Sequence, residues 1–300
     1  MSILPINLQK TSVQRVLNFI SPYAKLLDVS PIPGGYSNHT HLIVADGPDG
    51  VELKFVVRQY LSHEGDRGDK AVREFEILKL VRNYSIPAPE PLLLDDSGEI
   101  LGIPGIVTSF IEGQSELRPS NPEERAVMLA AILAKLHSIP LEISKAKFLL
   151  DANSEATWFQ RDSNAERIMS SHALGHDLLN ASRNLNAAKV TPSIVHTDIW
   201  PGNIIWENGH ISGIVDWDDT GFGDPVLDIG YATMELSLAG YFDAAEILSL
   251  EYAKLIGKEL QNLQFWQMAA AVKPIYKPKI WDVLEEPRKG NLNRFIKSIL

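Results

Sequence analysis

The feature that most limits the fold of this chain is a change of pattern at Gly113. Ahead of it the sequence reads as strands with one or two helices, and beyond it as mostly helix. LIVA (Leu42–Ala45) and VELKFVVR (Val51–Arg58) flank the turn-rich DGPDG and predict a β-hairpin. DKAVREFEILKLVRNY (Asp69–Tyr84) repeats Val72, Phe75, Leu78 and Val81 at helical spacing, and the prolines of SIPAPEP end that helix. LLL and GIPGIVTSFIEG supply further strand. NPEERAVMLAAILAKLH then opens a helix with Asn121 as N-cap, Pro122 at the first helical position and Glu124 completing a capping-box pattern. More helices are expected over residues 155–170, 226–240 and 244–260 and near the C-terminus. The pattern predicts an α+β chain: a sheet-containing N-lobe over residues 1–110, a connection near Ser109–Gly113, and a helical C-lobe over 111–300.

A chain of 300 residues can bury a sizeable core in one large domain or two lobes. It has no cysteine, which excludes disulfides, thiolate catalysis and cysteine-zinc sites. No apolar run approaches the ~18–20 residues of a membrane span, and MSILPINLQK lacks a signal-peptide pattern. The expectation is a cytoplasmic protein with no membrane partner. With 28 basic against 38 acidic residues, the net charge of −10 repels a phosphate-coated polymer. Nucleic acid is therefore not an expected partner, and a neutral or cationic small molecule fits better. The oligomeric state is not encoded in any pattern here.

The chemistry is concentrated in HTDIWPGN (His196–Asn203) and the IIWENGHISGIVDWDD that follows. Ile204–Trp206 and Ile211–Val215 are strand-like, and the Asn208-Gly209 between them is a strong hairpin-turn signal. Such a hairpin is expected to bring Asp216 back toward Asn203. An amide oxygen and a carboxylate are hard ligands suited to Mg²⁺, which takes few protein groups and relies on substrate phosphates for the rest. Asp198, five residues before Asn203 across a Pro-Gly loop, is free to face the same space. One carboxylate beside a hydroxyl and a metal pair beside phosphates is what phosphoryl transfer requires, since that reaction needs mostly alignment and charge neutralisation. A metal hydrolase built from His196 and the aspartates is a rival reading, weakened by the scarcity of histidines nearby.

HTDIWPGN resembles the H-x-D-x-x-x-x-N loop shared by protein kinases and the aminoglycoside phosphotransferase/choline kinase group. IVDWDDTGFGDPVLDIG resembles that group's second signature, with D-W in place of the D-F-G of protein kinases. PGGYSNHTHLIV is similar to its nucleotide loop, GIPGIVTSFIEG to its hinge, and LAAILAKLHSIP to the helix before its catalytic loop. The matches fall in order from about residue 32 to 235.

The resemblance implies a protein-kinase-like two-lobed fold, with an antiparallel N-lobe sheet plus a helix and a mainly helical C-lobe. It implies transfer of the γ-phosphoryl group of ATP, or GTP, to a hydroxyl of a small molecule. In that frame Asp198 is the catalytic base, and Asn203 and Asp216 are the Mg²⁺ ligands. Gly34, Gly35 and Ser37 approach the nucleotide phosphates, and Ser109, Phe110 and Ile111 offer backbone groups to adenine. Arg58 takes the place of the family's phosphate-binding lysine, with Lys54 as the alternative on the same strand face. Its helical partner is Glu74, which has Ala71, Ile77 and Leu78 as neighbours, in preference to Glu76. His196 is scaffolding and Asp228 a brace for the loop, while Asp219 and Glu235 are candidates for the acceptor site. Aminoglycosides and macrolides, or a metabolic acceptor such as homoserine, choline or a sugar, share this scaffold. A nucleotide-binding regulator without turnover is a further reading.

Overall fold

A computed structural model describes residues 8–33, 38–48, 50–61, 70–140, 146–185 and 187–300. Two compact units emerge from its contacts. The first is Met1–Glu112 together with Ser212–Asp218, and the second is Gly113–Ile211 with Asp219–Leu300.

In the first unit the order is α1 (Lys10–Ile20), β1 (Lys25–Pro31), β2 (Asn38–Asp46), β3 (Glu52–Tyr60), α2 (Lys70–Asn83), β4 (Pro91–Asp95) and β5 (Gly105–Ser109). The strands form an antiparallel sheet of order β1-β2-β3-β5-β4. The expected hairpin is β2–β3, in register from Asn38 opposite Tyr60 to Asp46 opposite Glu52. Val13, Val16 and Leu17 of α1, which the sequence pattern did not single out, pack on Ile43, Phe55, Val57 and Val107 to make this unit's core. In α2 the buried residues are Ala71, Arg73, Glu74, Ile77, Leu78 and Val81, with Val72 and Phe75 only half-buried. The face is rotated from the purely apolar one because a carboxylate sits in its middle.

The second unit begins with β6 (Gln114–Ser115) and α3 (Pro122–His137), then β7 (Leu150–Asp151), α4 (Ala152–Ala156), α5 (Ala165–Met169) and α6 (Gly175–Asn184). It continues with β8 (Ser193–Val195), β9 (Ile204–Glu207), β10 (His210–Ile214), β11 (Gly221–Gly223), α7 (Val226–Leu238), α8 (Phe242–Ile256), α9 (Leu263–Tyr276) and α10 (Arg288–Ile299). The end of β10 belongs to the first unit, where Ser212 Oγ donates to the Glu112 carbonyl at 2.8 Å and Ile214 N–H to that of Pro87 at 2.8 Å. Asn208 and Gly209 turn the chain between β9 and β10 with φ of 49° and 82°, the doubly left-handed conformation of a two-residue hairpin turn.

The single helix expected over residues 155–170 is instead α4, a short 3-10 turn at Trp158–Arg161, and α5. Asp162 breaks it, because its carboxylate accepts the Asn164 N–H at 2.9 Å and so favours a turn. At the start of α3, Asn121 donates its amide to the Glu124 carboxylate at 3.2 Å and makes no side-chain cap to the backbone. Every residue of α7 is buried, and the helix packs against α8, α9 and α10 at the centre of this unit's core. Gly230 permits the close approach to α9: a Cβ there would lie 2.7 Å from Trp266 Cβ. Among the described residues, no helix is long and apolar enough to cross a membrane.

Candidate active site

In the first unit, β3 carries Arg58 and α2 carries Glu74, while Asp216, Trp217 and Asp218 follow β10. Arg58 Nε lies 3.0 Å from Glu74 Oε2, its Nη2 pairs with Asp216, and Asp218 Oδ1 is 3.9 Å away. Tyr60 donates its hydroxyl to Glu74, and the Trp217 N–H donates to Glu74 Oε1 at 3.3 Å. Lys70 Nζ reaches Asp218 Oδ2 at 3.0 Å, and Arg73 Nε donates to the Asp218 carbonyl at 2.7 Å. Burial works against the Arg58 charge, but Asp216, Glu74 and Asp218 outweigh it and raise its pKa, so the guanidinium stays charged. Glu74 is pushed up by burial and by Asp218 and Asp216, with Arg58 pulling the other way.

Asp216 adopts φ of 68°, a left-handed conformation that costs a residue with a Cβ roughly 1–2 kcal/mol. Its neighbour Trp217, fully buried with Nε1 donating to the Ile214 carbonyl at 2.8 Å, holds the segment in place. Lys54, the alternative cation, turns instead to Glu112 at 2.9 Å and Glu52 at 3.4 Å. Of the three residues expected to face adenine, Ser109 donates its N–H to the Glu90 carbonyl at 2.8 Å and Phe110 to that of Lys54 at 3.3 Å. Two of those three donors are thus engaged within the unit, and Ile111 packs its side chain at Gly213. Gly34, Gly35 and Ser37 lie outside the described residues.

In the second unit the loop after β8 is pinned from below by Asp228 of α7. Asp228, with no exposed surface, accepts the His196 N–H at 2.8 Å and the Thr197 N–H at 2.7 Å. His137 Nε2 lies 3.1 Å from the same carboxylate, and its Nδ1 lies 2.7 Å from the Tyr252 hydroxyl. Burial pushes Asp228 up, but the hydrogen bond and charge of His137, helped by His196, prevail and hold it below the usual carboxylate range. Thr197 is left-handed, with φ of 72°, and projects the chain outward to Asp198.

Asp198 Oδ1 accepts the Tyr231 hydroxyl at 2.7 Å, and Oδ2 accepts Asn203 Nδ2 at 2.9 Å. The same nitrogen reaches the Asp198 carbonyl at 3.0 Å. With its nitrogen committed to Asp198, the amide oxygen is the atom Asn203 has to offer a hard cation. Burial first and Asp198 second raise the Tyr231 pKa, so its hydroxyl remains a donor. His196 is fully buried and its Nδ1 lies 3.3 Å from the Asp198 nitrogen, a position within the scaffold.

Glu235, one turn beyond Tyr231 on α7, is buried. It accepts the Trp281 indole N–H at 2.6 Å and lies 3.8 Å from Arg288. Burial pushes its carboxyl up to about 7. Asp219 is exposed, and its carbonyl accepts the Thr197 hydroxyl at 3.0 Å. Sequence reasoning missed Tyr231, Lys70, His137 and Lys273. Tyr231 had a signal, since it stands three residues after Asp228 and shares its helix face. Among the described residues, no group of three or more His, Asp or Glu side chains is placed to hold a metal ion.

Residues 28–265 match the model of the APH family, described as the phosphotransferase enzyme family. The chain belongs to that family. The structure of the GDP complex of wild-type aminoglycoside 2'-phosphotransferase-IIIa superposes with a TM-score of 0.66 at 15% identity, over 97% of this chain and 100% of that one. The streptomycin-ATP-APH(2")-IIa ternary complex gives 0.61 at 17% identity, over 90% and 91%. These likenesses establish the protein-kinase-like fold. Acyl-CoA dehydrogenase family member 10 of Mus musculus is 25% identical over 188 residues, 57% of this chain but only 17% of that protein. The chain thus spans about a sixth of that relative's length.

Proposed function

We propose that the chain moves the γ-phosphoryl group of ATP, or of GTP, to a hydroxyl of a small molecule, in the manner of the aminoglycoside and macrolide phosphotransferases. The observation that carries this reading is Asp198: a carboxylate held at both oxygens by Tyr231 and Asn203, on a loop whose backbone is tied to Asp228. A base so fixed aligns an acceptor hydroxyl and takes its proton as the phosphoryl group moves. Arg58, braced by Glu74, steadies the nucleotide phosphates as a charged donor. Gly34, Gly35 and Ser37 contribute backbone to the phosphates and Ile111 to adenine. Asn203 through its amide oxygen and Asp216 through its carboxylate are the residues to hold Mg²⁺. Bound between these groups and the nucleotide, the ion would supply neutralisation of phosphate charge. The nucleotides in the related complexes, ATP in one and GDP in the other, support a purine nucleotide as donor.

The test is Asp198→Asn with Mg-ATP and a panel of aminoglycosides, macrolides, amino alcohols, sugars and hydroxy acids, read by mass gain. Turnover should fall by ~10²–10⁴-fold while nucleotide still binds. Undiminished turnover in that variant would sink the assignment of the base. Nucleotide binding with no transfer by the wild type to any acceptor would favour the regulatory reading.

A further inference from the structure

Helix α9, LQFWQMAAAVKPIY, is apolar apart from two glutamines and one charge, Lys273, which stands directly before Pro274. The lysine is half-buried, and its ammonium lies 4.2 Å from the centroid of the Tyr231 ring. That ring carries the hydroxyl bonded to Asp198. Among the described residues the ammonium forms no ion pair and no hydrogen bond, so the π-face of Tyr231 is its contact. A strongly hydrated point charge drawn away from water without an acceptor is costly, and the cation–π contact offsets only part of that.

Asp198, Asp219, Glu235 and Asp228 are the carboxylates that act most on its charge. All four have partners of their own. Asp198 takes Tyr231 and Asn203, Asp228 takes the two loop N–H groups and His137, and Glu235 takes Trp281 with Arg288 close by. An acceptor ammonium entering beside Tyr231 would meet the Lys273 charge and find the buried Glu235 already claimed. An oxyanion would complete the ammonium's hydrogen bonds.

We propose that Lys273 anchors an oxyanion of the acceptor, a carboxylate or a phosphate, and that the hydroxyl to be phosphorylated belongs to the same small molecule. The inference rests on Asp198 as the base of phosphoryl transfer. It makes Lys273 a specificity-determining residue and places the acceptor among hydroxy acids or hydroxyalkyl phosphates rather than polycations.

The experiment incubates the full chain and Mg-ATP with four acceptor sets: hydroxycarboxylates, hydroxyalkyl phosphates, the neutral amides and alcohols of the same skeletons, and aminoglycosides. Transfer should appear with one or both oxyanion sets, and the set that works separates the two sources. With the best oxyanion acceptor, Lys273→Met should raise the acceptor KM ~10–100-fold, the loss expected for a charge-assisted hydrogen bond. The nucleotide KM should stay unchanged, and Lys273→Arg should recover part of the acceptor affinity. Transfer confined to neutral alcohols or aminoglycosides overturns the inference and leaves phosphotransfer standing. So does an unmoved acceptor KM in a Lys273→Met protein that melts like the wild type, including the case in which only kcat falls. Absence of transfer to every set, with nucleotide bound, overturns the phosphotransfer reading and this inference together.

Discussion

Asp216 and Asp198 are assigned to the same reaction, yet the two units hold them by different chemistry. Asp216 sits among full charges: Arg58 pairs with it, with Glu74 and at longer range with Asp218, while Lys70 pairs with Asp218. Asp198 is held by neutral donors, a tyrosine hydroxyl and an amide, on a loop tied by backbone N–H groups to Asp228. The first arrangement depends on charge matching and the second on direction. Neutral donors fix the direction of the Asp198 carboxylate, whereas Asp216 is placed by a guanidinium that it shares with Glu74. Both segments include a left-handed residue other than glycine, Asp216 at 68° and Thr197 at 72°. Strain of this kind persists where the surroundings over-determine the backbone.

Removing a charge should show the contrast most strongly. Arg58→Met removes the cation that pairs with Glu74 and Asp216 and lies near Asp218, and the loss of one partner from a buried ion-pair network typically costs ~3–5 kcal/mol. Urea denaturation near neutral pH measures it. Glu74→Gln in the same background should give back part of the loss, because one unpaired carboxylate disappears. A loss below ~1 kcal/mol would mean the cluster is not held by charge matching.

In the second unit, Asp228→Asn turns an amide NH₂ toward one of two backbone N–H groups and strands it. The expected loss is ~1–3 kcal/mol, the desolvation cost of one buried donor. Turnover should fall with it as Asp198 loses its footing. Added salt should change the Arg58→Met difference more than the Asp228→Asn difference. Equal salt sensitivity would erase the distinction between the two clusters.

The split between charge and direction was only partly legible in the sequence. The α+β pattern, the β2–β3 hairpin and the Asn-Gly turn were readable because each depends on local periodicity or on a backbone conformation few residues adopt. The HTDIWPGN and IVDWDD motifs were readable because their spacing is short. Lys70 and Lys273 were not, since each meets its partner through packing between segments far apart in the chain. The break at Asp162 was missed for a related reason: a side chain that bonds its own backbone competes with a helix that apolar spacing alone would continue. The rotation of α2 has a different cause. Glu74 counts as polar in any periodicity, yet it is buried because Arg58, Tyr60 and Trp217 satisfy it.

Glu235 sharpens the comparison through pH, because it is the carboxylate of the second unit that most resembles those of the first. It is buried with Arg288 at 3.8 Å and the Trp281 N–H at 2.6 Å, and its carboxyl is pushed from 4.5 up to about 7. Between those values the folded chain keeps a proton that the unfolded chain has released. Its contribution to stability is therefore greatest below the ordinary value and declines as pH rises toward about 7, by at most ~1.4 kcal/mol per pH unit. Asp228 has the opposite sign, since its lowered pKa costs stability only as pH falls into the acid range below its ordinary 3.8. Glu235→Gln keeps an acceptor for Trp281 and has no proton to lose, so unfolding free energies measured from pH 4.5 to 7 should fall less steeply. An unchanged slope in Glu235→Gln would mean that Arg288 keeps Glu235 ionised throughout, and the second unit would then hold an ion pair of the same kind as the first.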